Sequence, residues 1–189
     1  MLRLTEKAHQ ILQAHLRTGD IAIDATAGQG FDTLMLCQWV GSNGRVYAID
    51  LQTEALNKTR ARLKQISDPA NYTLIEACHA AALSSLEEPL SGQVAAIVFN
   101  LGYLPGSDKT VITQTPTTLA ALQSSSTLLQ AGGLLCVTAY RGHSGGLVEA
   151  DQVANWMRTQ AQKGWTVKFH EPPHSTSKVP PILWTAKNA

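Results

Sequence analysis

Apolar residues follow two patterns along the chain, and these patterns alternate. Some stretches carry apolar residues at intervals of three and four, which is typical of helices, and others are short apolar runs, which are typical of buried strands. Glycine and proline mark many of the boundaries. The pattern predicts helices over 4–16, 31–40, 53–66, 117–129 and 148–163, and strands over 20–25, 45–50, 72–77, 94–100, 134–139, 165–170 and 181–187.

This strand–helix alternation predicts a doubly wound α/β fold with a mostly parallel sheet and helices on both faces. The last two predicted strands are separated by a segment rich in Pro and Ser, in which no crossover helix fits. Because parallel neighbours need such a crossover, we expect these two strands to be antiparallel. The expected fold is a Rossmann-like, seven-stranded sheet with one antiparallel strand near the C-terminus, in a single domain over residues 1–189.

Composition and charge narrow the class of protein. The net charge of +1 argues against a broadly basic nucleic-acid surface, although residues 1–99 carry −2 and residues 100–189 carry +3. No apolar run approaches the length of a membrane span. The three cysteines, Cys37, Cys78 and Cys136, are too far apart for a disulfide framework or a metal site, and we expect them to be small core residues. These features indicate a cytoplasmic protein with no membrane contact and no metal.

A glycine turn between the first strand and the following helix is the main candidate for ligand binding. Gly28 and Gly30 accept positive φ and allow a ligand close to the backbone. Asp32 and Thr33 follow where the helix begins, and either can cap its free N–H groups. Asp50 ends the second strand about 20 residues later, where an acid holds the hydroxyls of a ribose. The spacing therefore predicts a site for a nucleoside cofactor.

The acids around this turn favour S-adenosylmethionine over a dinucleotide. A dinucleotide site has a third glycine where this chain has Thr33, and its helix start faces a pyrophosphate. Asp32 would repel a pyrophosphate, but it is compatible with the sulfonium and ammonium groups of S-adenosylmethionine. Asp24 adds a second acid close to the same turn.

A second candidate site follows the fourth strand, at the edge of the sheet where ligands bind. Asn100 offers an amide there, and Tyr103 offers an aromatic face and a hydroxyl. The segment resembles the Asn-Pro-Pro-Tyr loop of methyltransferases that act on exocyclic amines, with Leu101 and Gly102 in place of the two prolines. That resemblance implies that Asn100 and Tyr103 are catalytic, the amide oxygen accepting from the target amine and the ring stacking on the base.

Other polar residues follow neighbouring strands. Cys78 and His79 come after the third strand and are candidates for the adenine pocket. Candidates for contact with substrate or phosphate lie in three loops, and they are Lys109, Arg141, His143 and Lys178. The alternatives are a mobile surface loop for Arg141 and His143, a lone exposed histidine for His79, and a rigid turn for Lys178.

Three motifs together resemble the small class I methyltransferases of the YtqB type, described as rRNA methylases. The motifs cover residues 24–33, 100–109 and 142–146, and the likeness extends over nearly the whole chain. Some members methylate the aminomethyl nitrogen of uridine 34 in tRNA, the MnmM activity. The family often has Asn and His in the glycine turn, where this chain has Gln29 and Phe31.

The resemblance implies S-adenosylmethionine as cofactor and RNA as partner, with the tRNA anticodon loop as the bound segment and a homodimer as a possible assembly. The cofactor-binding residues predicted in this way and from the turn are Asp24, Ala25, Thr26, Gly28, Gly30, Asp32, Thr33, Asp50, Leu51, Cys78, His79 and Asn100. Three alternatives stay open: an rRNA or small-molecule methyltransferase, a non-catalytic RNA-binding module with this fold, and an NAD-dependent oxidoreductase.

Overall fold

A computed structural model of the protein describes residues 3–64, 71–104, 106, 110–172 and 179–189. Strands and helices alternate through most of these residues, as the apolar pattern predicts. The helices are α1 (Leu4–His15), α2 (Phe31–Val40), α3 (Thr53–Leu63), α4 (His79–Leu90), α5 (Thr115–Leu128) and α6 (Gly146–Gln162). The strands are β1 (Ile21–Asp24), β2 (Arg45–Asp50), β3 (Tyr72–Glu76), β4 (Val94–Leu101), β5 (Leu129–Ala139), β6 (Thr166–His170) and β7 (Ile182–Lys187).

The strands form one seven-stranded sheet in the order β3-β2-β1-β4-β5-β7-β6. β7 lies between β5 and β6 and is antiparallel to both, whereas the other pairings are parallel. The predicted single reversed strand is therefore confirmed. The strand order changes direction between β1 and β4, and this switch point opens a crevice at the carboxyl ends of those strands.

Several element boundaries differ from the sequence prediction, and one helix was missed. Helix α4 over His79–Leu90 fills a connection that the apolar pattern left unassigned, and it buries Ala82, Leu83 and Leu90. Its first turns are rich in alanine, which weakens the contrast between apolar and polar faces. β5 begins earlier than predicted because Leu129 already pairs with Val94 before an irregularity in the ladder.

The core lies on both faces of the central strands. Along β4, Ile97 and Phe99 face one layer, while Ala96 and Val98 face the other, which follows the strand period of two. Cys37 and Cys136 are buried as predicted, and burial raises the pKa of Cys37 to about 12. Cys78 is only partly buried and lies at a cavity, so its prediction as a core residue was wrong.

Helix α1 packs against the sheet and brings its polar face to the crevice. Leu4 and Ala8 pack against Leu183 of β7, and Leu12 enters the core beside α2. This packing sets the position of His9, which lies next to Ala8 on the helix. Within the described ranges, no helix combines the length and apolar character needed to cross a membrane.

Candidate active site

A cavity of about 780 Å³ opens at the carboxyl ends of β1 to β5. Its volume falls within the range of about 300–1,000 Å³ that is usual for small-molecule sites. The glycine turn, the residues that follow β2 and β3, and the loops after β4 and β5 line it. The predicted site residues on its wall are Ala25, Thr26, Gly28, Asp32, Asp50, Leu51, Cys78, His79, Asn100, Tyr103, Arg141 and His143.

The two glycines of the turn have different roles. Gly28 lines the cavity at a φ of +54°, and its N–H donates to Asp50 Oδ2 at 2.9 Å. Gly30 is buried away from the cavity, and a Cβ there would lie 2.7 Å from Thr59 Cα of α3. Gly30 is therefore required for close packing of α3 against the turn, while its predicted contact with a ligand stays a prediction.

Asp50 is held rigidly at the end of β2. Its Oδ1 accepts the N–H of Gln52 at 2.9 Å, and its Oδ2 accepts the N–H of Gly28. Burial raises the pKa of this carboxyl, while the backbone donors counteract that rise. A carboxylate has about four acceptor positions, so Asp50 keeps acceptor capacity for the hydroxyls of a ribose.

Asp24 lies beneath the cavity and does not line it. Thr33 Oγ1 donates to Asp24 Oδ2 at 2.6 Å, and the N–H of Thr26 donates to Oδ1 at 3.2 Å. Burial, followed by the nearby charge of Asp32, raises the pKa of Asp24 to about 7. Because the Thr33 hydroxyl is used in this way, its predicted role as a helix cap was wrong; Gly30 is the N-cap residue of α2.

Asp32 does not cap the helix either, because it joins two side chains at the cavity wall. Its Oδ2 accepts Asn100 Nδ2 at 2.6 Å, and its Oδ1 accepts His9 Nε2 at 2.5 Å. The backbone N–H of Asn100 donates to Thr26 Oγ1 at 2.7 Å. β1, α1, α2 and β4 therefore meet at this point. Sequence reasoning missed His9, because it lies 23 positions before Asp32 on a helix outside the three motifs.

The loop that carries Tyr103 is tied to the protein interior. Tyr103 pairs with Ile112 in an antiparallel bridge, and its ring meets that of His143 edge-on at 6.2 Å between centroids. Thr113 Oγ1 and Thr118 Oγ1 donate to the carboxylate of Glu149, at 2.7 and 2.6 Å. Glu149 is buried in α6 and anchors the loop from below, a role that sequence reasoning missed.

Cys78 and His79 line the cavity after β3, as predicted. The His79 ring packs edge-on against Phe99, and burial lowers its pKa, so the imidazole is neutral near pH 7. This neutral, largely apolar surface is compatible with an adenine ring. The assignment of the adenine to these residues stays a prediction.

The predicted substrate-binding residues are only partly placed. Arg141 lines the cavity, and its Nε donates to the carbonyl of Pro180 at 2.8 Å, which ties the loop after β5 to the segment before β7. Lys109 and Lys178 lie outside the described residues. His143 lines the cavity beside Tyr103.

An arginine–aromatic pair at the cavity was not predicted. Phe31 lines the cavity and is 54% exposed, and the Arg62 guanidinium lies 3.5 Å from its ring centroid. Arg62 Nε also donates to the carbonyl of Gln29 at 2.7 Å. The two residues that depart from the family pattern, Gln29 and Phe31, are thus both held by α3. Over the described part of the chain, no group of three or more His, Cys, Asp or Glu is arranged to hold a metal ion.

The sheet order, the reversed β7, the glycine turn and the acid after β2 define a class I methyltransferase fold. The family model described as "Putative rRNA methylase" matches residues 46–187. The chain belongs to this family.

Solved structures of relatives match the whole chain. An rRNA-methylase structure from Clostridium thermocellum, described as "putative", has a TM-score of 0.91 and 31% identity, covering 100% of this chain and 99% of that one. A methyltransferase from Streptococcus mutans, also described as "putative" and solved with S-adenosylhomocysteine (SAH), has a TM-score of 0.86 and 35% identity with the same coverage. Both likenesses support the fold.

A curated relative is the chloroplastic tRNA (mnm(5)s(2)U34)-methyltransferase of Arabidopsis thaliana. It is 38% identical over an alignment of 161 residues, and the match covers 80% of this chain. The match spans 57% of that protein's length.

Proposed function

We propose that the protein is an S-adenosylmethionine-dependent methyltransferase that methylates the aminomethyl nitrogen of uridine 34 in tRNA. The name of the Arabidopsis relative and the SAH bound to the Streptococcus mutans relative support this proposal. The observation that carries it is the hydrogen bond from Asn100 Nδ2 to Asp32 on the cavity wall, because it leaves the amide oxygen to receive an amine N–H.

The residues of the cavity fit this cofactor. Asp50 presents a fixed carboxylate suited to ribose hydroxyls, and the neutral surface at Cys78 and His79 suits adenine. Asp32 places a carboxylate at the start of α2, which suits a cation and disfavours a pyrophosphate. The carboxylate therefore favours S-adenosylmethionine over the dinucleotide alternative.

When bound, S-adenosylmethionine supplies an electrophilic methyl group on a sulfonium. The amide oxygen of Asn100 accepts an N–H of the neutral amine, and this hydrogen bond directs the lone pair of the amine nitrogen toward that methyl group. The amine forms the new N–C bond while the C–S bond breaks, and the bonding pair stays on sulfur. The positive charge that develops on nitrogen lies near the Asp32 carboxylate, which stabilises it. The product ammonium then releases one proton to water.

The amine must be deprotonated to attack. We therefore expect kcat to rise with pH until the bound amine is neutral, and then to level off. We also expect Asn100→Ala to lower kcat strongly while it leaves the affinity for SAH within a few-fold. Equal losses of turnover and of SAH binding would assign Asn100 to the cofactor pocket instead.

The experiment that tests the substrate compares four acceptors at equal concentration: tRNA with aminomethyl-uridine 34, the same tRNA without that modification, the free modified nucleoside, and rRNA. We expect rapid methylation of the first only, because remote RNA contacts position the amine. Equal rates on nucleoside and tRNA would indicate a small-molecule methyltransferase. Methylation of rRNA in place of tRNA would support the rRNA alternative, and binding without turnover would support the non-catalytic module.

Contacts with RNA are expected to be few and local to the anticodon loop. Arg141 has four guanidinium N–H donors besides the one bonded to Pro180, and Lys109 and Lys178 are the other predicted contacts. The slope of log K against log salt concentration reports the number of phosphate contacts. For each of the three residues that touches a phosphate, substitution by Ala should lower the size of this slope by about one. The single-domain organisation, the homodimer and the cytoplasmic location stay predictions.

A further inference from the structure

His9 contacts the candidate active site from a helix outside the motifs that define it. It lies on α1, with its side chain 28% exposed, and its Nε2 donates to Asp32 Oδ1. Its ring also meets the edge of Trp39, at 5.8 Å between centroids. His9 and Asn100 therefore bind opposite oxygens of the same carboxylate.

The chemistry of the three groups determines which way the Asn100 amide faces. A carboxylate only accepts hydrogen bonds, so the end of the amide that faces Asp32 must be the NH₂ group. Rotation of the amide by 180° would place two oxygens against each other. The orientation of Asn100 thus depends on the position of Asp32, and His9 holds the far oxygen of that carboxylate.

We propose that His9 is a positioning residue for methyl transfer: through Asp32, it keeps the amide oxygen of Asn100 directed toward the acceptor amine. This inference rests on the proposed function, because it concerns the amine acceptor site. The inference assigns a role in the active site to helix α1, which belongs to neither the glycine turn nor the loop that carries Asn100.

The electrostatic surroundings favour a stable contact. The hydrogen bond to Asp32 raises the pKa of His9, and the charges of Asp24 and Glu6 act in the same direction, while burial opposes them. Glu6 is itself bound to Arg3 on the exposed end of the helix. A neutral imidazole with its proton on Nε2 still donates to Asp32, so the contact does not require the charged form.

The test compares His9→Ala with His9→Gln, whose side-chain amide keeps an N–H donor. The control is His15→Ala, which removes a histidine of the same helix that bonds the Ala95 carbonyl at 3.0 Å. We expect His9→Ala to lower kcat about tenfold, with KM for tRNA and Kd for SAH within about threefold. His9→Gln should recover most of kcat, and His15→Ala should leave kcat unchanged.

A double-mutant cycle separates positioning from a general loss of stability. If His9 acts through Asp32 and Asn100, His9→Ala should change kcat less than twofold in an Asn100→Ala background. A tenfold loss in both backgrounds would overturn the proposal. Failure of His9→Gln to restore kcat, or equal losses of kcat and SAH affinity, would overturn it as well.

A binding measurement tests His9 without any RNA. Sinefungin carries an amine where S-adenosylmethionine carries the sulfonium methyl group, so its amine approaches the acceptor side of the cavity. We expect the ratio of the Kd for SAH to the Kd for sinefungin, measured by calorimetry, to be the same in the wild-type protein and in His9→Gln. In His9→Ala this ratio should fall several-fold. An unchanged ratio in His9→Ala would overturn the role proposed for His9. If the ratio changes but the wild-type protein does not methylate tRNA, only the proposed substrate is overturned.

Discussion

Gly30→Ala tests how the glycine turn is built. Gly30 is the N-cap residue of α2 at a φ of +77°, and a Cβ there would lie 2.7 Å from Thr59 Cα. Gly145 is the N-cap residue of α6 at the same φ of +77°, and a Cβ there meets nothing within 4 Å. The two glycines therefore share a backbone conformation and differ in the space around them.

The expected magnitudes follow from this difference. An alanine in the left-handed region costs about 1–2 kcal/mol, and this cost applies at both positions. At Gly30 the new methyl group also meets the backbone of α3, which must move, and overpacking of this kind costs about 1–3 kcal/mol more. We expect Gly145→Ala to lower the free energy of unfolding by about 1–2 kcal/mol and Gly30→Ala by about 2–5 kcal/mol.

Urea denaturation of the wild type and the two variants at one temperature measures these free energies. Gly30→Ala should also weaken SAH binding, because Thr59 Oγ1 donates to the Gly28 carbonyl at 3.3 Å and displacement of α3 moves the turn. Equal destabilisation by the two substitutions would refute the claim that Gly30 is required for packing against Thr59.

Three further predictions concern buried or fixed carboxylates. Asp50→Ala should weaken SAH binding on the order of 30-fold or more, because about 2–4 kcal/mol of ribose contacts to a charged acceptor are lost; unchanged affinity in calorimetry would contradict the ribose assignment. Burial raises the pKa of Asp24 to about 7, so its folded form keeps a proton that the unfolded chain loses. The contribution of Asp24 to the free energy of unfolding should therefore fall as pH rises from about 4 to about 7. Asp24→Asn should remove this dependence. When denaturation is measured at several pH values, the free energy of unfolding of the variant relative to wild type should increase over that interval and then stay constant. A difference that is the same at every pH would contradict the raised pKa of Asp24. Glu149→Gln should lower the free energy of unfolding by about 1–3 kcal/mol, because a glutamine amide accepts hydrogen bonds only at its oxygen and cannot receive both threonine hydroxyls as the carboxylate does. The exposed control Glu88→Gln should change this free energy by less than about 0.5 kcal/mol. Equal effects of the two substitutions in urea denaturation would contradict the anchoring role of Glu149.

The parts of the fold that were predicted correctly are those with local signals. Apolar runs identified the strands, and the short Pro/Ser-rich connection identified the reversed strand β7. Asp50 and Asn100 were located because residues at the ends of parallel strands meet at one edge of the sheet. Both line the cavity, while their roles in binding and catalysis stay predictions.

The features that were missed depend on contacts between distant segments. The contact of His9 with Asp32 depends on how α1 packs on the sheet, and no local pattern specifies that packing. Glu149 binds Thr113, which lies 36 positions earlier in the chain. Because an acidic residue by itself does not indicate burial, the sequence did not reveal this contact. The close packing of Gly30 against Thr59 of α3 was missed for the same reason, because a Cβ at Gly30 would meet a helix that follows more than 20 residues later.

The most direct test of the proposed function is mass spectrometry of tRNA nucleosides from cells that lack the protein, complemented with wild type or with Asn100→Ala. We expect the methylaminomethyl nucleoside at position 34 to disappear in the deletion strain and its aminomethyl precursor to accumulate. Wild type should restore the methylated nucleoside, and Asn100→Ala should not, although it keeps SAH binding. An unchanged nucleoside profile in the deletion strain, or full restoration by Asn100→Ala, would contradict the proposed reaction at this site.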